Sequence, residues 1–180
     1  MNNSGAIYIE YADHRAVAAE LARLLAARGF CAVDLPPDQV DSRMMIPAKH
    51  LRHFMLLPTA GGWVVIWEDP RYFAERKLAQ QIAASLQTRA VWIEVSGTGV
   101  SWARGLYVGE QTVEEQYEEV NSPFYGEFGI VHFSFDFEHP PEDFISALGL
   151  PYDDLCYESA LLGELPAAAG VPIHLAFEKL

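Results

Sequence analysis

The run Trp-Val-Val-Ile-Trp at positions 63 to 67 is apolar at every position. As a strand it presents Trp63, Val65 and Trp67 on one face and Val64 and Ile66 on the other. A strand apolar on both faces has to be covered on both. Residues 91 to 95 repeat the pattern, with Trp92 opposed to Val91, Ile93 and Val95. If the β-branched faces pack against helices, the tryptophan faces form a second apolar surface. Either that surface is buried under C-terminal aromatic segments, around positions 124 to 137 and Phe144, or it anchors a partner, since Trp and Tyr are enriched among binding hot spots.

Turn signals cut the rest of the chain into short elements. A strand is expected over 6 to 11, followed by a helix with Asp13 as N-cap, Val17, Leu21, Leu24 and Leu25 at helical spacing, and Gly29 as its stop. With a strand over 31 to 35 this makes a first β-α-β unit. Strands at 53 to 57 and 63 to 68 flank the five-residue turn Pro58-Thr59-Ala60-Gly61-Gly62. Asp69-Pro70 reads as an N-cap and N1 pair opening a helix that carries Phe73, Leu78, Ile82 and Leu86. Gly97-Thr98-Gly99 and Gly109-Glu110 read as hairpin turns. The second leads into a strand over 111 to 117, because a helix there would set Glu114 and Glu115 against Glu118 and Glu119 at a cost of about 0.2 to 0.5 kcal/mol per pair. Residues 129 to 138 alternate most cleanly of all, with Val131, Phe133, Phe135 and Phe137 on one face. Short helices are expected near 140 to 148 and 153 to 162, and a terminal strand near 173 to 177. Hairpins outnumber crossovers, so the expected fold is α+β, a mostly antiparallel sheet with helices packed on one face. No Gly/Ser- or Pro-rich linker divides residues 1 to 180, which are expected to form one domain.

Charge divides the chain unevenly. The formal net charge is −13, and residues 105 to 180 carry 15 of the 25 acids but one of the 12 Lys and Arg, Lys179. Carboxylates in this half have no local cation to pair with, so it should project a negative field. Nucleic acids and anionic membranes are poor partners for such a surface, and a basic protein is a good one. No run approaches the roughly 18 to 20 apolar residues that span a bilayer, and the start of the chain lacks a basic, apolar leader, so a cytoplasmic location is expected. Two cysteines, Cys31 and Cys156, make no disulfide framework. A chain of this size builds a core without a cofactor, and none is expected.

Chemistry-bearing motifs are sparse. His132, Ser134, Asp136 and Glu138, followed by His139, form the polar face of the late strand and offer metal-ligand types. Asp136 and Glu138 stand about 6.6 Å apart on a strand and can share an ion, whereas His132 at about 13 Å from Asp136 cannot. This set, His132, Asp136, Glu138 and His139, supports an alternative reading as a metal-dependent hydrolase or small-molecule enzyme. Cys156 lies among apolar neighbours with no nucleophile elbow, and no Gly-x-Ser-x-Gly occurs. The cationic cluster Lys49-His50-Leu51-Arg52-His53 offers an anion site before its strand, or simply a mixed-charge loop.

The segment from 63 to 117 resembles a pattern found in uncharacterised bacterial proteins. It has a Trp-led strand, a helix with Leu78-Ala79 and Ile82-Ala83, a strand with Val91, Ile93 and Val95, then Trp102, Leu106-Tyr107 and Gly109. The resemblance implies no catalytic residues. In size and acidic balance, though in no motif, the chain is also similar to immunity proteins that neutralise bacterial toxins. The leading expectation is therefore a non-enzymatic inhibitor of a basic protein. Its contact residues would be Glu110, Glu114, Glu115, Glu118, Glu119, Asp153 and Asp154, with Trp63, Trp67 and Trp92 as aromatic anchors.

Overall fold

The structure, a computed structural model, describes residues 4–36, 50–69, 74–95, 101–119, 124–125, 131–132, 141–150 and 170–179. In chain order the elements are β1 (Ser4–Glu10), α1 (His14–Ala26), β2 (Phe30–Val33), β3 (Leu51–Pro58), β4 (Trp63–Glu68), α2 (Arg76–Leu86), β5 (Arg89–Val95), β6 (Ser101–Val108), β7 (Gln111–Glu119), β8 (Phe124–Tyr125), β9 (Val131–His132), α3 (Pro141–Ala147) and β10 (Ile173–Lys179). Eight strands form one sheet in the order β2-β10-β3-β4-β1-β5-β6-β7, and β8 pairs with β9 separately. Every neighbouring pair is antiparallel. The crossovers β1-α1-β2 and β4-α2-β5 each join strands that run the same way but are not neighbours. In the second, β1 fills the gap, which is a split β-α-β arrangement.

Local signals account for several elements. The Asp13 carboxylate accepts from the N–H groups of Arg15 (2.9 Å) and Ala16 (3.3 Å), satisfying two donors at the start of α1. In the β3–β4 turn both the backbone N–H and the hydroxyl of Thr59 donate to the Trp63 carbonyl, at 2.7 and 3.1 Å. Gly109, at φ +54°, and Glu110 form a two-residue turn that pairs Val108 with Gln111.

Helix α2 starts later than Asp69-Pro70 implied: it runs from Arg76, with Glu75 at the cap position. Asp69 is drawn into the sheet instead, its N–H donating to the His53 carbonyl at 2.9 Å, and it is fully buried. Phe73, the late strand beyond His132, and the helix expected over 153 to 162 lie outside the described residues.

The core has two layers of contact, one on each face of the sheet. Leu21, Leu24 and Leu25 of α1 and Leu78, Ile82 and Ala83 of α2 pack with Ile7, Ile9, Phe54, Leu56, Val64, Ile66 and Trp92. The opposite face gathers Tyr8, Met55, Trp63, Val65, Trp67, Val91, Ile93 and Trp102 with Phe144 and Ile145 of α3. Helices on one face only therefore does not describe α3. What the structure shows is an antiparallel eight-stranded sheet with a few helices, mostly sheet.

Register also corrects the alignment of the tryptophans. Tyr8 stands opposite Val65 and Val91, and Ile7 opposite Ile66 and Trp92. Trp92 thus lies on the face of Val64 and Ile66, away from Trp63 and Trp67, and its Nε1–H donates to the Ala74 carbonyl at 2.6 Å.

Candidate functional site

Strand β7 ends the sheet, and among the described residues its one strand neighbour is β6. Its partner register jumps between Leu106, opposite Glu114, and Tyr107, opposite Thr112, leaving Val113 at a bulge. Among the described residues the exposed large hydrophobic side chains are Val108, Val113, Tyr117 and Val171; the first three belong to the β6–β7 hairpin, with Val108 on the sheet face of Trp102 and Tyr117 on the face of Tyr107.

Two acids of this hairpin, Glu114 and Glu115, have cations after all, supplied by the other half of the chain. Glu114 meets Arg104 at 2.6 Å, and Arg104 also donates to Gln116. The Arg104 guanidinium lies over the rings of Phe144 (4.3 Å) and Trp102 (5.2 Å), tying this side of β7 to α3. On the other face Glu115 accepts from the Tyr107 hydroxyl (2.9 Å), Gln80 (3.2 Å) and Arg76 (3.2 Å). Arg76 and Gln80 are one helical turn apart on α2, so the helix offers both donors to one carboxylate. Burial and the adjacent Glu115 push the Tyr107 hydroxyl well above the usual phenol range, keeping it a donor.

Tyr107 reaches Glu115 by lying across Gly105 on its own strand. A Cβ at Gly105 would overlap the tyrosine hydroxyl and ring. Beside this cluster, a cleft of about 320 Å³ opens between α2 and the hairpin, lined by Gln80, Gln81, Tyr107, Glu110, Gln111 and Thr112 among others. Among the described lining residues Glu110 is the one charged group, and it is exposed.

Of the expected contact residues, Glu110, Glu114, Glu115, Glu118 and Glu119 lie together on this hairpin. Glu118 accepts from Gln116 at 2.6 Å. Asp153 and Asp154 lie outside the described residues, as do Asp136, Glu138 and His139 of the metal alternative, while His132 falls in β9. Among the described residues no group of three or more His, Cys, Asp and Glu is placed to hold a metal ion. Trp63, Trp67 and Trp92 are 5%, 5% and 9% exposed, so they are core and present no anchor face. Sequence alternation could not say which tryptophan faces align, because that depends on register across β1. Cys31 is exposed and free on β2.

A second polar cluster escaped the sequence reading. Arg52 and Glu68, both buried, form a two-point pair at 2.6 and 2.8 Å. Glu75 accepts from Arg52 at 3.1 Å and from Arg28 at 2.8 Å, and Arg28 also reaches Gln81. Full burial pushes the Glu68 carboxyl up to about 7 against the pull of Arg52. Burial opposes the charge on Arg52 as well, but Glu68 and Glu75 outweigh it and hold the guanidinium charged. The signal was one of parity: Arg52 shares a strand face with Phe54 and Leu56, and Glu68 with Val64 and Ile66. On the opposite face His53 and His174 stack with Nδ1 and Nε2 3.1 Å apart. The cationic cluster at 49 to 53 is therefore no joint surface: Arg52 and His53 are buried on opposite faces, and Lys49 lies outside the described residues.

No protein-family model, curated protein or solved structure matches this chain. No described helix is long and apolar enough to cross a membrane.

Proposed function

We propose that the protein is a non-enzymatic binding module, an acidic inhibitor of the immunity-protein type that acts in the cytoplasm by neutralising a basic protein such as a toxin. The observation that carries this reading is the β6–β7 hairpin, where exposed Val108, Val113 and Tyr117 stand among the carboxylates of residues 110 to 119. Apolar contacts supply affinity when they are desolvated, and the acids supply partner selection and on-rate. The hairpin takes over the anchoring role that the buried tryptophans do not fill.

Native mass spectrometry of the protein isolated from its own cells at low salt tests the reading. The expected result is a stoichiometric complex with a basic polypeptide, which re-forms from the two purified components and dissociates at high salt. A protein that is partnerless, or whose purified partner is acidic, overturns it.

A further inference from the structure

We infer that the partner contributes an extended basic segment that joins the sheet as an additional strand along residues 111 to 116 of β7, with one Lys or Arg side chain in the cleft beside Glu110. This rests on the binding-module reading and specifies its mode. A terminal strand offers a row of backbone donors and acceptors on its outer side, and an added strand satisfies them while side-chain pockets set specificity. For residues 111 to 116 no backbone hydrogen bond to a described residue is made outside the β6 ladder. The cleft opens beside this same stretch, since Gln111 and Thr112 form part of its wall.

Charge selects the occupant. Glu114 and Glu115 are paired within the chain by Arg104 and Arg76, whereas Glu110 has no ion-pair partner among the described residues. A second copy of β7 on this edge would bring further acids beside Glu110, and like charges opposed across strands are destabilising, whereas a basic strand meets it favourably. The cleft wall holds Gln80, Gln81 and Gln111 together with Glu110, and no Lys or Arg is among its described lining residues. A long cationic side chain can run its methylene stem past the Tyr107 ring and place its charge at Glu110.

The probe is an end-blocked peptide alternating Lys with Val, compared with one alternating Glu with Val, each titrated calorimetrically into the full chain at low salt. Backbone hydrogen exchange is followed residue by residue. The expected result is binding of the Lys peptide alone, with slowed exchange within residues 111 to 116. Affinity should fall about tenfold in Glu110→Lys, a substitution on an exposed turn. The inference is overturned if the Lys peptide does not bind, if it binds without protecting residues 111 to 116, or if Glu110→Lys binds it equally well. Any of these results beside an intact, salt-sensitive complex with the purified native partner leaves the binding-module reading standing and removes only the added strand.

Discussion

Replacing Arg52 with Met leaves the Glu68 carboxylate buried without its two-point partner, and such a loss costs about 3 to 5 kcal/mol. Urea unfolding at alkaline pH should show it, and the loss should shrink as pH falls and Glu68 takes up a proton, at a pH above the wild-type value of about 7 because Arg52 no longer lowers it. In the wild-type chain the proton affinity of Glu68 rises on folding, from the ordinary value of 4.5 to about 7. Its contribution to stability is thus fully present below pH 4.5 and is lost as pH rises through 7. His174 works in the opposite sense. Burial lowers its pKa from 6.5, so its contribution is present above that value and is lost as pH falls. Glu68→Gln should remove the first dependence and leave the second, which unfolding titrations across this range would resolve. Gly105 is a separate case: Gly105→Ala forces the Tyr107 ring off its seat and should cost about 1 to 3 kcal/mol, read as a lowered thermal midpoint.

Elements defined by their own turn and cap residues were legible in the sequence. Asp13 set the start of α1, and Asp13→Ala should cost about 1 kcal/mol in thermal unfolding by freeing the N–H groups of Arg15 and Ala16. Gly109-Glu110 set the β6–β7 turn, and the spacing of Glu114, Glu115, Glu118 and Glu119 argued strand over helix before any partner strand was known. Where tertiary pairing competed with a local signal, the local signal lost. Asp69 carries the look of a helix cap, yet its N–H completes the ladder to His53, and α2 begins at Arg76. The side on which Trp92 lies was likewise not local information. It follows from Ile7 standing between Ile66 and Trp92, a register set by a strand that lies far from both in sequence. The candidate site was half legible: the acids were visible as a cluster, whereas Arg76, Gln80, Arg104 and Tyr107 became their partners only through folding.

For the molecule as a whole, the charge split of the sequence is softened but not erased. Arg76 and Arg104, from the nearly neutral half, take up Glu115 and Glu114, while Glu110 stays exposed at the turn. At a net charge of −13 the association rate with a basic partner should fall steeply as ionic strength rises, and stopped-flow measurements over a salt series would show it; a flat series would remove electrostatic steering from the account. The opposite end of the sheet carries a kinetic consequence. Strand β10 lies between β2 and β3, so among the described residues 30 to 33 gain a strand neighbour only through residues 173 to 179, which join them to β3. The block from β3 through β7, with β1 between β4 and β5, can assemble without β10, whereas β2 has no seat among the described residues until the most distant segment arrives. Closing so long a loop is slow. In refolding, β2 and β10 should therefore gain protection together and last, as a seam sewn after the rest of the sheet is whole.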